Sequence, residues 1–321
     1  MILTKLDFNK TAKVLGDSGG RALGSVINKF ISNKGLGYKA FTKLYNMTVC
    51  PILDYCSGIW GYSKFETIDT IQNRAIRFFL GVHKFAPNLG INGELGWETR
   101  GIRRKIEMIR LWNRLQRLAD SRLTKKVFKW DKRLCKKNWA NDIRNICIET
   151  DLMVNFESNL YINPNLLRDR LSSLFTTEWE REVCIVPKLR FYNIFKNNYE
   201  TEFYVSKICN RSVRSLIAQL RLGIMPLCIE TGRYQDIPIE YRFCTYCNQD
   251  SIESEIHFLL YCDRYNDIRY ELFNIARVKV PQIDILEPDD QIKHLMSNDL
   301  ISNTATFVYN AFKIRRNATF V

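Results

Sequence analysis

The sequence predicts a mainly α, multi-helical protein. Apolar residues recur at three- and four-residue steps along most of the chain, and the alternating pattern of half-buried strands is scarce. The 321 residues are 46% hydrophobic and 12% aromatic. That is enough for a true core, and the length suggests about two domains.

Taken in order, "LYNMTVCPILDYCSGIWGY" (residues 44–62) supplies most of a buried helix expected over 41–60. It is the most apolar run, yet Pro51 and Asp54 interrupt it. It falls short of the roughly 20 apolar residues that a spanning helix requires, so no membrane partner is expected. The start "MILTKLDFNK" has no apolar h-region, so no secretory signal is expected. Over 66–82, Ile68, Ile71, Ala75, Phe78, Phe79 and Val82 fall on one helical face, with Gly81 as a stop signal. Over 101–118 the same spacing gathers Ile102, Ile106, Ile109, Trp112, Leu115 and Leu118. The opposite face there carries Arg103, Arg110, Arg114 and Arg117, so one side packs while the other meets solvent or phosphates. Further helices are expected over 166–183, 212–222, 253–260, 267–278 and 302–315, with a Pro- and acid-rich linker over 280–291. Four regions follow: 1–96 helical, 97–200 basic and helical, 201–279 a helical module, and 280–321 a linker with terminal helices.

Charge is concentrated. The chain carries a net +14, and residues 100–137 hold 15 Lys and Arg against three acids, a local excess of +12. Such a field favours a polyanion, and a solvated helix face is the alternative reading. The candidate phosphate contacts are Arg103, Arg110, Arg114, Arg117, Lys125, Lys126 and Lys129, with Arg233 and Arg242 near a second feature described next.

That feature is Cys244-x2-Cys247-x9-His257-x4-Cys262, within "RFCTYCNQDSIESEIHFLLYC". Three thiols and an imidazole in two close pairs suit a structural zinc ion held in a small CCHC knuckle near the C-terminal end. A chance CxxC in a chain of ten cysteines is the alternative. The other seven, Cys50, Cys56, Cys135, Cys147, Cys184, Cys209 and Cys228, lie in apolar helical contexts and are expected as buried thiols. No P-loop, HExxH or GxSxG pattern is present, and Asp289-Asp290 follows Pro288 in the expected linker. No catalytic residue is nominated.

Several stretches then carry a resemblance. "LYNMTVCPILDYCSGIWGY", "IQNRAIRFFLGV" and "APNLGINGELGW" resemble the helical thumb region that follows the reverse-transcriptase domain of non-LTR (LINE-type) retrotransposon polyproteins. "KLRFYNIFKNNYETEFYV", "RSLIAQLRLGIMPLCIETGRY", "YRFCTYC" and "EIHFLLYC" resemble their C-terminal part, which ends in a CCHC zinc element. The pieces keep their order over about residues 22–270. The resemblance implies zinc ligation by Cys244, Cys247, His257 and Cys262 and contact of the basic helices with RNA or single-stranded DNA. The palm with its paired aspartates, expected ahead of residue 20, is not in this sequence. The expectation is therefore a truncated product without polymerase or nuclease activity, intracellular, in nucleus or cytoplasm. The competing expectation is a protein-interaction remnant that uses surface left by the missing palm, or one with no function. The two differ in whether the apolar faces over 41–60 and 67–82 are buried against each other; if they are, and the face over 100–137 is open, the binding module is favoured.

Overall fold

The computed structural model describes residues 8–318, and its regular structure is helical, with no β-strand among the described residues. The helices α1 (Phe8–Ser32), α2 (Tyr38–Leu44), α3 (Cys50–Leu53), α4 (Ser57–Trp60), α5 (Glu66–Leu80) and α6 (Asn88–Leu95) open the chain. Then come α7 (Arg100–Gln116), α8 (Leu123–Leu134), α9 (Trp139–Glu149), α10 (Met153–Glu157) and α11 (Pro164–Ile185). The described chain ends with α12 (Phe203–Lys207), α13 (Arg211–Arg221), α14 (Cys228–Tyr234), α15 (Asn266–Lys279), α16 (Pro288–Leu295) and α17 (Ile301–Ala318). None is long and apolar enough to cross a membrane.

Two local departures from the expected helices have backbone causes. The single helix expected over 41–60 is broken into pieces. Pro51 has no N–H for the carbonyl four residues back. The turn before it, Tyr45–Val49, is widened so that the Cys50 N–H reaches the Tyr45 carbonyl. The chain then turns at Cys56, whose φ of +53° ends helical continuity ahead of α4. The expected linker is also shorter than its composition suggests, because Pro288 opens α16 and Asp289 and Asp290 occupy its first turn. Acids there suit the positive end of the helix dipole. α5 matches expectation and closes at Gly81, whose φ of +79° lets the Gly81 and Val82 N–H groups both bond to the Arg77 carbonyl. The seven cysteines outside the CCHC set divide: Cys50 and Cys147 are buried, Cys135 and Cys228 are half-buried, but Cys56, Cys184 and Cys209 are exposed. Apolar neighbours in sequence did not fix which helix face those three occupy.

The chain forms two compact units, each assembled from separated stretches. The first comprises Met1–Lys29, Thr42–Gln72 and Trp97–Glu178. Its core surrounds α7. Ile102, Ile106, Ile109 and Trp112 are buried as the helical spacing requires, joined by Phe128, Ile143, Ile146, Phe156 and Ile162. The Trp112 ring stacks on Phe156 (5.1 Å between centroids) and meets Phe128 edge-on at 5.0 Å. Trp112→Ala would cost about 3–5 kcal/mol by the usual scale for emptying an aromatic site. Within this unit residues 42–60 are buried through Tyr45, Val49, Leu53 and Trp60. α4 approaches α7 closely at Gly61, where a Cβ would lie 2.7 Å from that of Arg104.

The second unit comprises Phe30–Phe41, Asn73–Gly96 and Trp179–Val321. Here Phe30, Phe41, Phe78 and Phe79 pack with centroid distances of 5.0–6.4 Å. Deeper in, Arg221 of α13 is buried and donates to Glu94, which is also buried. Glu202 pairs with both Arg221 and Lys196, and the Tyr204 hydroxyl donates to Glu94. Burial opposes the Arg221 charge, but the two carboxylates outweigh it and hold the guanidinium protonated. This ionic core joins residues 127 positions apart, so no local pattern announces it.

Candidate metal centre and candidate nucleic-acid interface

The second unit brings the CCHC residues together. Two antiparallel rungs, Cys244 N–H to Ser251 O (2.8 Å) and Glu253 N–H to Arg242 O (2.9 Å), close a loop that holds Cys247 near its tip. Asp250, at φ +46°, makes the reversal. The segment after it is no regular helix. Ser254 Oγ accepts the His257 N–H, and His257–Tyr261 is a widened turn closed by the Cys262 N–H on the His257 carbonyl at 2.8 Å. That extra residue per turn brings Cys262 beneath His257, where both are buried.

One atom from each of Cys244, Cys247, His257 and Cys262 lies within 4.8 Å of the others, a Cys3His cluster that can hold a metal ion. The Cys244 and Cys262 sulfurs are 3.9 Å apart, and the Cys247 sulfur is 3.4 Å from His257 Nε2. The bond to the Cys262 sulfur and then burial push the Cys244 thiol up to about 12. The same bond holds the Cys262 thiol below its ordinary range. A divalent ion would override this, because a coordinating thiol is deprotonated outright.

The charged groups packed around the cluster are partnered. Arg269 of α15 donates to the carbonyls of Leu259 (2.9 Å) and Cys262 (2.7 Å). Buried Glu253 accepts from the Cys228 N–H (2.7 Å) and from Arg315 of α17, whose guanidinium sits 4.0 Å from the Tyr246 ring centroid. Arg190 places two bonds on buried Glu255. Arg242 spends its guanidinium on the carbonyls of Ile237 and Ile229, at 2.8 and 2.7 Å, and Arg233 pairs with Glu230. Arg242, expected as a phosphate contact, is half-buried and held by these two carbonyls through Nε and Nη1. Arg269 and Arg315 had no sequence signal, since each acts on a partner brought near only by folding.

The other seven candidates fall in the first unit. Arg103, Arg110 and Arg114 share one stripe of α7, continued by Arg117 at its C-cap, and the last three are exposed. Arg103 is half-buried and pairs with Glu98 at 3.1 Å, Arg110 pairs with Glu107, and Arg117 lies over the Tyr161 ring. Lys126 and Lys129 of α8 are exposed, with Lys129 paired to Asp120 at 2.7 Å. Lys125 is placed differently from these two. It is buried, and its ammonium donates to the carbonyls of Leu115 (3.2 Å) and Gln116 (2.6 Å), which end α7. Arg122, Arg133, Lys136 and Lys137 extend the exposed basic surface.

Among the aromatic residues that could meet bases, Trp112 is core and Trp139 gives its N–H to the Gly58 carbonyl. Trp130 is 59% exposed, and Tyr241 and Phe243 are also open. Compared with protein-family models, curated proteins and solved structures, the chain matches none.

Proposed function

We propose that this chain is a nucleic-acid-binding protein that grips phosphates through α7 and α8 and uses its Cys3His cluster as a structural zinc site. The observation that carries the reading is the exposure of Arg110, Arg114, Arg117, Lys126 and Arg133, in a stretch with 15 cations and three acids. Phosphate neutralisation supplies most sequence-independent affinity, and exposed Trp130 on the same helix is suited to stack on an unpaired base. The partner is accordingly RNA or single-stranded DNA. The resemblance to the region beyond the polymerase domain of LINE-type retrotransposon proteins points the same way.

The zinc assignment rests on the donor set. Metal–sulfur bonds of about 2.3 Å and metal–nitrogen bonds of about 2.0 Å in a tetrahedron put sulfurs about 3.8 Å apart, and sulfur and nitrogen about 3.5 Å apart. The spacings here, 3.9 and 3.4 Å, fit. Four protein ligands leave no open position, so the ion would hold the fold and supply no hydrolytic chemistry. The reading is therefore of a binding protein and not an enzyme.

A second reading, protein contact, is favoured by one observation: Leu123, Val127, Trp130 and Leu134 form an exposed apolar line on α8. The apolar faces over 41–60 and 67–82 are buried in part, through Tyr45, Val49, Leu53, Trp60, Ile68, Ala75 and Phe79, while Met47, Tyr55 and Ile59 stay exposed. The two readings separate in one experiment. Fluorescence anisotropy with single-stranded RNA should lose at least roughly 100-fold in affinity on Arg110→Glu, Arg114→Glu and Arg117→Glu together, because three cations that meet phosphates become repulsive. Undiminished affinity would sink the nucleic-acid reading.

A further inference from the structure

α8 does more than extend the basic surface. Lys125, Lys129, Lys132 and Arg133 stand on one side of it and line a cavity of about 500 Å³, in which Asp120 is the one acid among the lining residues. Two of these cations are locked in place. Lys125 is held by the Leu115 and Gln116 carbonyls and lies over the Phe128 ring. Lys132 donates to the Phe156 carbonyl (2.7 Å) and to Asn159 Oδ1, and lies over the Phe156 and Trp112 rings.

Each ammonium has three N–H donors, and each of these two spends two on the protein. One donor from each is left over. Lys129, paired to Asp120, and Arg133 are exposed and add further donors. The Gln116 and Asn159 carboxamides complete the lining. Asp120 does not neutralise the group: it is 75% exposed and is tied to Lys129. Burial lowers the Lys132 pKa, with Cys135 and Glu157 acting against it.

We infer that this cavity is a phosphate subsite, taking one phosphodiester group of a bound nucleic-acid strand. Four cations against one acid call for an anion bearing more than one charge or several oxygens. A phosphate offers oxygens in several directions to donors arriving from different sides, whereas a carboxylate offers two in a plane. The volume also falls in the range of sites that accept a nucleotide-sized group. Pre-positioned ammoniums lose little side-chain entropy on binding. The inference rests on the nucleic-acid reading above.

The test uses the full chain in two arms. In the first, side-chain amide resonances of Gln116 and Asn159 are followed by NMR as inorganic phosphate is added, against sodium chloride at equal ionic strength. In the second, single-stranded RNA affinity is measured across a salt series for wild type, for Lys129→Ala with Arg133→Ala, and for Asp120→Asn. These three positions are exposed, so the variants should fold. The expected result is a saturable shift with phosphate that the double variant abolishes. RNA affinity should fall roughly tenfold in that variant, with a salt slope shallower by about 0.7 for each phosphate no longer neutralised, and should rise in Asp120→Asn. RNA binding unchanged in the double variant, with no phosphate shift, overturns the subsite and leaves the wider reading standing. A phosphate shift without RNA binding by wild type overturns the phosphodiester assignment and the nucleic-acid reading together, and identifies a site for free phosphate esters. Neither signal overturns both.

Discussion

Around the Cys3His cluster the packed guanidinium groups have protein partners, whereas along α7 and α8 cations outnumber the acids available to them. Arg242 and Arg269 hold carbonyls, Arg315 holds Glu253, and Arg190 holds Glu255. Polar groups that satisfy one another in this way stiffen the fold around them. In the basic stretch Glu98, Glu107 and Asp120 engage Arg103, Arg110 and Lys129, while Arg114, Lys126, Arg133, Lys136 and Lys137 add exposed positive charge beyond them. A surface of that kind repels itself when bare and is stabilised by an external polyanion. The contrast is between a region whose charges are paired within the protein and one where positive charge is in excess.

The largest effect should come from breaking the first region. His257→Ala should abolish stoichiometric metal in native mass spectrometry and remove hydrogen-exchange protection over 240–265, while far-ultraviolet circular dichroism changes little. Structural zinc contributes an apparent ~10–16 kcal/mol in small zinc modules, so the loss should be all-or-none. Retained metal would contradict the ligand set. Next, Glu253→Gln removes the carboxylate shared by Arg315 and the Cys228 amide. A buried charge deprived of its partner costs about 3–5 kcal/mol, so the urea midpoint should fall clearly. If it does not move, the self-satisfied character of this region is illusory.

Trp130→Ala sharpens the other side. It should weaken single-stranded RNA binding by about 1–3 kcal/mol and leave the urea midpoint unchanged, because the ring packs on little. Acid should then discriminate the buried ionic core. Burial raises the Glu202 carboxyl, but Arg221 and Lys196 outweigh it and hold its pKa below the ordinary value. Its contribution is therefore complete above the unfolded value of about 4.3 and lost as pH falls through the lower folded one. Melting curves from pH 5 downward should drop more steeply for wild type than for Glu202→Gln. Smallest of all, Lys126→Ala should reduce RNA affinity by roughly threefold at low salt, the worth of one exposed cation at a phosphate.

What the sequence makes legible follows from range. The four cluster residues lie within 19 positions, so spacing alone brings them into view, and helical periodicity identifies α5, α7 and α13 by their buried faces. Direction is less legible than charge. Lys125 and Lys126 are adjacent cations, yet one caps carbonyls in the interior and the other faces solvent, a difference of one helical step. The break at Cys56 and the widened turn at His257 depend on backbone choices that apolar spacing does not encode. Long-range pairs such as Glu94 with Arg221, or Glu253 with Arg315, leave no trace in any window, because each side chain reads as an ordinary surface charge until folding buries it.

The most direct test of the account is the salt dependence of single-stranded RNA binding by the metal-loaded chain, repeated after the metal is removed. The account predicts that log K falls linearly with log salt, at about −0.7 for each of several phosphates neutralised, and that metal removal leaves the slope within about 0.7 of its starting value. A flat response in the loaded protein would contradict the claim that α7 and α8 form a phosphate-binding face.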